Sequence, residues 1–225
     1  MRINLSYNEV AGRSVERLAA LSDGLFGVAM TLLLLELHVP VKEAIQSEHD
    51  LLQFLLHLGP ELLVYLLSFM TLGIFWIGQQ VQLSNLVASE RHLTWIHLAF
   101  LFAVTLMPFS TELLVEFIHF RTALVLYWLN ILLLGSLVYL SWGRALKTGL
   151  VKPEFTSEQA RSVCHRVLVA QAFYALGAAL CLVNTFVSIS VIILVQLNFV
   201  FAPTYRNRSQ PPVPSATTDK GDEPA

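Results

Sequence analysis

The sequence predicts an all-α integral membrane protein with six transmembrane helices. Hydrophobic residues make up 55% of the 225 residues and charged residues only 13%, whereas a soluble domain carries roughly 25% charged residues. Long stretches contain no charge, and Lys and Arg collect in alternate loops. A span needs about 20 apolar residues, so the chain is long enough for six spans and too short for a twelve-span transporter.

Charges mark the ends of the predicted spans, because an unpaired charge is costly at the centre of a bilayer. The first four spans are predicted at 18–37, 62–80, 92–111 and 122–143. A shorter apolar run precedes the second span and ends at the helix-breaking pair Gly59-Pro60. The first span contains Asp23 and Glu36 and therefore differs from the others.

The last apolar block, 167–205, predicts a helical hairpin. It runs for 39 residues without a charge, which as one helix would be about 58 Å long and too long for a single span. A polar cluster supplies the predicted turn and leaves a short sixth span. Its members are Asn184, Thr185, Ser188 and Ser190.

Basic residues predict the orientation. With six spans, twelve Lys and Arg fall on one side and two, Lys42 and Arg121, on the other, which places both termini in the cytoplasm. A five-span arrangement fits less well because it moves Arg206 and Arg208 outside. The first apolar run has no small-residue cleavage site and is expected to be retained. We predict a membrane domain over 1–205 and a disordered, proline-rich cytoplasmic tail over 206–225.

Composition argues against several classes of function. The net charge of −2 leaves no basic surface for nucleic acid. Cys164 and Cys181 have neither a metal-site spacing nor a disulfide pattern, and catalytic motifs are missing. We therefore expect no enzyme activity and no cofactor. The seven histidines are mostly at predicted span ends, where a histidine with satisfied hydrogen bonds or an interfacial one is expected. Five amides are predicted to link helices within the membrane: Asn130, Gln171, Asn184, Gln196 and Asn198.

Ionisable and hydroxyl side chains concentrate on the first helix. Asp23 lies about 9 Å along the axis from Arg17 and about 120° around it, so only the long arginine stem could bring the two together. One interpretation is a structural network in which Asp23 accepts hydrogen bonds from Arg17, Ser22 or a neighbouring helix. The other makes Asp23 a proton or cation ligand, as in a secondary transporter.

A second feature of this helix is the stripe formed by Val28, Thr31, Leu32 and Leu35. Their spacing of i, i+3, i+4 and i+7 places them on one helical face. Asp23 lies about 140° from Val28 around the same helix. Taken alone, such a stripe favours packing or lipid contact.

Three segments carry a resemblance to a known family. The run RLAALSDGLFGVAMTLLLLELHVP at 17–40 resembles the first-helix signature of the endosomal and lysosomal potassium channel family, in which Arg and Phe-Ser-Asp precede an apolar helix with a threonine. The segments YLLSFMTLGIFWIGQQ at 65–80 and LMPFSTELL at 106–114 are similar to the family's second helix and third-helix ending. The compact six-helix form resembles the family's bacterial branch, which implies the plasma membrane.

The resemblance implies a homotetramer in which four first helices surround a potassium-conducting pore without a carbonyl filter. At the matching positions, Val28 forms the narrowest apolar constriction, Leu32 and Leu35 form further apolar rings, and Thr31 forms a hydroxyl ring. The implied partners are potassium ions, the lipid bilayer and three further copies of the chain. The expected function is a leak-type, potassium-permeable channel with a hydrophobic gate.

The resemblance also implies a polar network of Arg17, Ser22 and Asp23 that ties the first helix to the second, with Trp76 as partner. Two departures bear on function. Val28 is smaller than the family's usual isoleucine or leucine, which predicts a wider and less selective constriction. Gln79 and Gln80 replace a His-His pair and do not titrate.

Two other classes of function stay open on the sequence. The first is a proton- or cation-coupled secondary transporter in which Asp23 titrates during the cycle; its expected mark, an inverted repeat with broken helices, is not visible between the two halves. The second is a structural subunit that packs against another membrane protein through the Val28 stripe.

Overall fold

The computed structural model describes residues 14–35, 37, 39–182 and 184–201, which are helical apart from short connections. Short 3-10 turns at Lys42–Ala44 and Leu180–Leu182 interrupt the connections. The helices are α1 Val15–Leu35, α2 Glu48–His57, α3 Gly59–Ser84, α4 Arg91–Thr105, α5 Met107–Glu116, α6 Arg121–Lys147, α7 Ser157–Ala179 and α8 Thr185–Phe201. The all-α fold class is therefore confirmed.

Within the described ranges, five segments are long and apolar enough to cross a membrane. They are α1, α3, α4 with α5, α6, and α7 with the turn that follows it. The third of these, Arg91–Glu116, is interrupted at Leu106, where Pro108 lacks the N–H that a continuous helix requires. Helix α8 is apolar but shorter, with 17 residues, or about 26 Å.

The break in the last apolar block lies near its predicted place, at Asn184. The Asn184 side chain accepts the backbone N–H of Phe186 at 2.8 Å and so caps α8. Ser188 and Ser190, which were predicted to lie in the turn, are instead inside α8. The Ser188 hydroxyl donates to the Gly177 carbonyl at 2.6 Å and joins the two helices, so its polarity serves packing. Glu36 and the predicted tail at 206–225 lie outside the described residues.

The apolar run before the second span forms a separate helix, α2, which buries none of its residues. Ser47 caps it by accepting the Asp50 N–H at 3.2 Å. Helix α3 begins at Gly59-Pro60, because proline fits the first helical turn, where no intrahelical N–H bond is needed. The Gly-Pro pair therefore separates α2 from α3, as its chemistry predicts.

Two apolar clusters hold the bundle together. The larger one runs through its middle and draws on α1 and α3 to α8. The smaller one contains Trp142, Leu83 and Leu93 and lies where α1, α4 and α7 begin and α3 and α6 end. We call this the basic end, because Arg91, Arg144 and other Lys and Arg side chains flank it.

Three of the amides expected to link helices do so. The Gln196 side chain of α8 donates to Thr71 Oγ1 at 2.5 Å, that of Gln171 donates to the Ile131 carbonyl at 3.3 Å, and that of Asn130 lies 3.2 Å from Ser110 Oγ. Asn198 is exposed. Buried amides thus fasten α8 and α7 to the rest of the bundle.

Candidate functional site

Helix α1 has one face that is buried in the protomer. Leu18, Ser22, Phe26, Ala29 and Leu33 recur every three or four residues and are each no more than 7% exposed. This face packs against α3, α4 and α5; the Phe26 ring, for example, lies 6.0 Å from that of Phe100 in α4. The burial fixes the rotation of α1 about its own axis and therefore determines what the rest of its surface presents.

The stripe singled out in the sequence is uncovered. Val28 is 54% exposed, Leu32 40% and Leu35 75%, and Thr31 is exposed between them. Their mean direction lies about 130° around the helix from the buried face. The protomer therefore leaves this face free for lipid, for other copies of the chain or for a pore.

The Thr31 hydroxyl has a defined orientation within the stripe. Its proton is donated to the Val28 carbonyl one turn earlier, at 2.8 Å. A hydroxyl has one proton and two lone pairs, so the oxygen keeps its acceptor capacity on an exposed side chain. Thr31 thus adds an oxygen acceptor to an otherwise apolar stripe.

Small residues lie beside the stripe. A Cβ atom added at Gly24 or at Gly27 would meet nothing within 4 Å in the described part of the chain, apart from the backbone of α1 itself. Small side chains on an exposed helical face allow another helix backbone to approach closely. Close approach of a second helix to α1 is therefore sterically open along this side.

Asp23 points in another direction and has two partners. The Trp76 indole Nε1 donates to Asp23 Oδ1 at 2.8 Å, and Gln80 Nε2 lies 3.4 Å from the same oxygen. Both partners lie on α3. The structure thus brings Asp23 and Trp76 together and joins α1 to α3.

Ser22 takes part in a separate and more deeply buried group. Its Oγ lies 2.8 Å from His97 Nε2 and accepts the Gln79 side-chain N–H at 2.9 Å. Ser22 is 1% exposed, and Gln79 and His97 are 3% exposed. The three side chains come from α1, α3 and α4, so one hydroxyl connects three spans.

The hydrogen-bond donors and acceptors of this group can be matched around the Ser22 hydroxyl. Its hydroxyl also lies 2.7 Å from the Leu18 carbonyl. If it donates there, its two lone pairs accept the N–H groups of Gln79 and of a His97 ring protonated at Nε2. Gln79 Oε1 then stays without a partner in the part of the chain that the structure describes.

Arg17 does not enter either group. It is exposed, and within the described residues its guanidinium makes no hydrogen bond or salt bridge; only its backbone N–H bonds Ser14, at 3.2 Å. The angular separation from Asp23 that follows from helix geometry explains this. Trp76 and Gln80 occupy the position that Arg17 was expected to fill.

The sequence analysis missed His97. It was grouped with histidines at span ends, but it lies six residues beyond the start of α4 at Arg91, or about 9 Å along the helix and below the headgroup region. This depth along the helix could have indicated that His97 is not at the membrane surface. No group of three or more His, Cys, Asp or Glu side chains suited to a metal ion occurs in the described ranges.

Comparison with known proteins relates this part of the chain to a known family. The family profile described as the endosomal/lysosomal potassium channel TMEM175 matches residues 17–108, the part that contains the stripe, Asp23, Trp76 and His97. Residues 17–108 thus resemble the TMEM175 family. The expected resemblance to endosomal and lysosomal potassium channels is therefore confirmed.

Individual relatives extend the match beyond this segment. A potassium channel of Streptomyces collinus is 26% identical over 204 residues, which cover 88% of this chain and 94% of that protein. A potassium channel of Chamaesiphon minutus is 38% identical over 104 residues, which cover 45% of this chain and 50% of that protein.

A solved structure shares the fold. The crystal structure of a lysosomal potassium-selective channel TMEM175 homologue from Chamaesiphon minutus matches with a TM-score of 0.73 and 24% identity, covering 84% of this chain and 97% of that one. The similarity therefore includes the later helices, where the sequence resemblance was limited to the number of spans.

Proposed function

We propose that four copies of this chain form a potassium-permeable leak channel whose pore is lined by the exposed stripe of α1. In this proposal each subunit has six spans, α8 is the sixth, and both termini lie on the cytoplasmic side of the plasma membrane. The stripe's exposure carries the proposal: α1 is held on one side by its core and leaves Val28, Thr31, Leu32 and Leu35 uncovered. The relatives' designation as potassium channels supports it.

The stripe has the chemistry of a gate without a carbonyl filter. Four apolar side chains around a narrow passage exclude water and so prevent conduction. Val28 is proposed to form this constriction, and Leu32 and Leu35 two further rings. Since valine is short, the constriction is less tight than one made of leucine or isoleucine, which suits a leak.

Thr31 is proposed to favour potassium. Its oxygen keeps acceptor capacity because its proton is directed to the Val28 carbonyl, at 2.8 Å. Four such oxygens replace part of the water that an ion loses at the adjacent constriction. Potassium holds its hydration water less strongly than sodium and therefore loses less when it is partly dehydrated.

The uncovered glycines support assembly around the pore. Gly24 and Gly27 have open space in front of them in the protomer, so α1 helices of neighbouring copies can approach each other closely. Asp23 is not proposed as a transported-ion ligand, because Trp76 bonds it at 2.8 Å and it faces away from the stripe. The transporter interpretation is accordingly not favoured.

Thiol accessibility tests the proposal. In a background with Cys164→Ser and Cys181→Ala, Val28→Cys is introduced and the protein is reconstituted in liposomes. A water-soluble, membrane-impermeant thiol reagent is expected to modify Val28→Cys and to block potassium flux, because the side chain faces an aqueous path when the channel conducts.

The matched control is Leu140→Cys on α6. Leu140 has the same exposed fraction as Val28, 54%, but lies away from the stripe. It is expected to stay unmodified and to leave flux unchanged. Equal reaction at both positions, or modification of Val28→Cys without any loss of flux, contradicts the proposed pore face.

A further inference from the structure

A cavity lies at the basic end, between the start of α1 and the end of α3. Its volume is about 740 Å³, and its walls include Val15, Glu16 and Ala19 from α1, Gln80 from α3 and Lys152 from the connection between α6 and α7. The volume falls within the roughly 300–1,000 Å³ range of small-molecule sites. None of the side chains of the proposed pore stripe lines it.

The backbone around Lys152 is fixed by regular bonds. Gly149, two residues beyond the last residue of α6, has a φ of 66°. The Leu150 N–H donates to the Ala145 carbonyl at 3.0 Å, which is the pattern of a Schellman cap. The chain then pairs with the end of α3: the Lys152 N–H donates to the Asn85 carbonyl at 2.9 Å. These backbone hydrogen bonds thus fix the position of the Lys152 backbone beside the cavity.

The two charges of the cavity have opposite sign and are not paired with each other or with another described side chain. Glu16 and Lys152 both line it, yet within the described residues neither forms a salt bridge; the ion pair seen there joins Arg144 and Glu90. A carboxylate and an ammonium that face one space without pairing suit a ligand that carries one cationic and one anionic group.

The remaining wall has four apolar side chains and two hydroxyls, those of Ser14 and Ser84, and it is open to the surroundings. Val81, 45% exposed, and Val87, 64% exposed, form part of it together with Leu83 and Leu86. The cavity also lies where the spans begin and end, which is the level of the lipid headgroups. An occupant with a charged head and apolar chains fits both properties.

We propose that this cavity binds a zwitterionic phospholipid with a primary ammonium, a phosphatidylethanolamine. Its phosphate bonds Lys152, its ammonium bonds Glu16, and its acyl chains lie along Val81 and the exposed side of α3. An anionic headgroup would leave Glu16 repelled, and a choline headgroup has no N–H to donate to the carboxylate. The expected order of affinity is therefore ethanolamine over choline and over glycerol headgroups.

Occupation of the cavity has a consequence for α1. Its α1 side consists of Val15, Glu16 and Ala19, in the first turns of that helix. Gln80, on the α3 side, also lies 3.4 Å from Asp23 Oδ1. A bound lipid therefore braces the start of α1 against α3. The inference concerns lipid binding alone and does not depend on whether the chain conducts potassium.

The test uses the purified full chain in detergent. Dioleoyl phosphatidylethanolamine, phosphatidylcholine and phosphatidylglycerol are added separately, as is water-soluble glycerophosphoethanolamine, and thermal unfolding and lipid retention in native mass spectra are measured. Only the diacyl ethanolamine lipid is expected to be retained and to raise Tm, by about 5–10 °C at saturating concentration.

Variants assign the effect to the cavity. Glu16→Gln and Lys152→Gln are each expected to remove the preference for ethanolamine, and Lys152→Arg to keep it. Glu154→Gln and Lys147→Gln, exposed charges of the same end that do not line the cavity, are expected to behave like wild type.

Three results overturn the proposal: equal stabilisation by all three lipids, a preference for the glycerol headgroup, or an ethanolamine preference that neither cavity variant changes. So does an equal effect of glycerophosphoethanolamine, which would show that a soluble phosphate ester rather than a lipid is bound.

Discussion

The buried Ser22 group gives the most quantitative prediction, for the variant Ser22→Ala. The substitution removes two interhelical hydrogen bonds, to Gln79 at 2.9 Å and to His97 at 2.8 Å. Interhelical hydrogen bonds in membrane proteins contribute on average about 0.6 kcal/mol and at most about 1.7. The expected loss of unfolding free energy is therefore about 1–3 kcal/mol, since the lost volume is a single oxygen.

Unfolding in mixed micelles with increasing dodecyl sulfate, followed by tryptophan fluorescence, measures this loss. Ser190→Ala is the matched control, because Ser190 is exposed and donates to a carbonyl of its own helix, Phe186 O, at 2.9 Å. It should change the free energy of unfolding by no more than about 0.5 kcal/mol.

A double-mutant cycle with Gln79→Leu separates the bond from general packing. If Ser22 and Gln79 interact as the structure shows, the two losses are not additive and the coupling free energy is at least about 0.5 kcal/mol. Additive losses, or a Ser22→Ala variant as stable as the Ser190→Ala control, refute the reasoning that this hydroxyl holds three spans together.

Three further predictions concern the surroundings of α1. Thr31→Val should leave stability within about 0.5 kcal/mol but lower the potassium-to-sodium permeability ratio, measured as a reversal potential; an unchanged ratio removes Thr31 from selectivity. Gly24→Leu should fold as a protomer and yet lose tetramer, measured by light scattering in detergent, whereas persistence of the wild-type mass contradicts close approach at this face. Trp76→Phe should lower the free energy of unfolding by about 0.6–1.7 kcal/mol in the micelle assay. Adding Asp23→Asn to this variant should lower it little further, whereas additive losses from the two substitutions would count against a bond between the two side chains.

The sequence predicted the spans well where charge alone decides their limits. Helices α3 and α6 contain the charge-free stretches predicted at 62–80 and 122–143, and α1 begins and ends within three residues of the first predicted span. A charge is costly in the bilayer whatever packs beside it. The uncovered stripe of α1 also agrees with periodicity, since Ala29 and Leu33, which lie between its members in the sequence, belong to the face that the core buries.

Polar contacts between helices were harder to predict. Asp23 and Ser22 were recognised, but their partners depend on how the helices are rotated against each other, which periodicity within one helix does not give. Thus His97 was grouped with satisfied or interfacial histidines at span ends, and its buried contact with Ser22 was not predicted. Arg17 was assigned to the network and lies outside it. Ser188 was predicted to lie in a turn because serine is polar. In the structure its hydroxyl instead donates a hydrogen bond to a carbonyl of α7.

The most direct test of the channel proposal is ion flux through purified protein in liposomes, with potassium and sodium gradients compared. Wild type is expected to carry potassium in preference to sodium. Val28→Asn, which makes the constriction polar, is expected to raise flux and to reduce that preference, while Leu140→Asn changes neither. Two results would contradict a pore constricted at Val28. One is the absence of flux in both wild type and Val28→Asn, with folded tetramers verified; the other is an equal change of flux in the two asparagine variants.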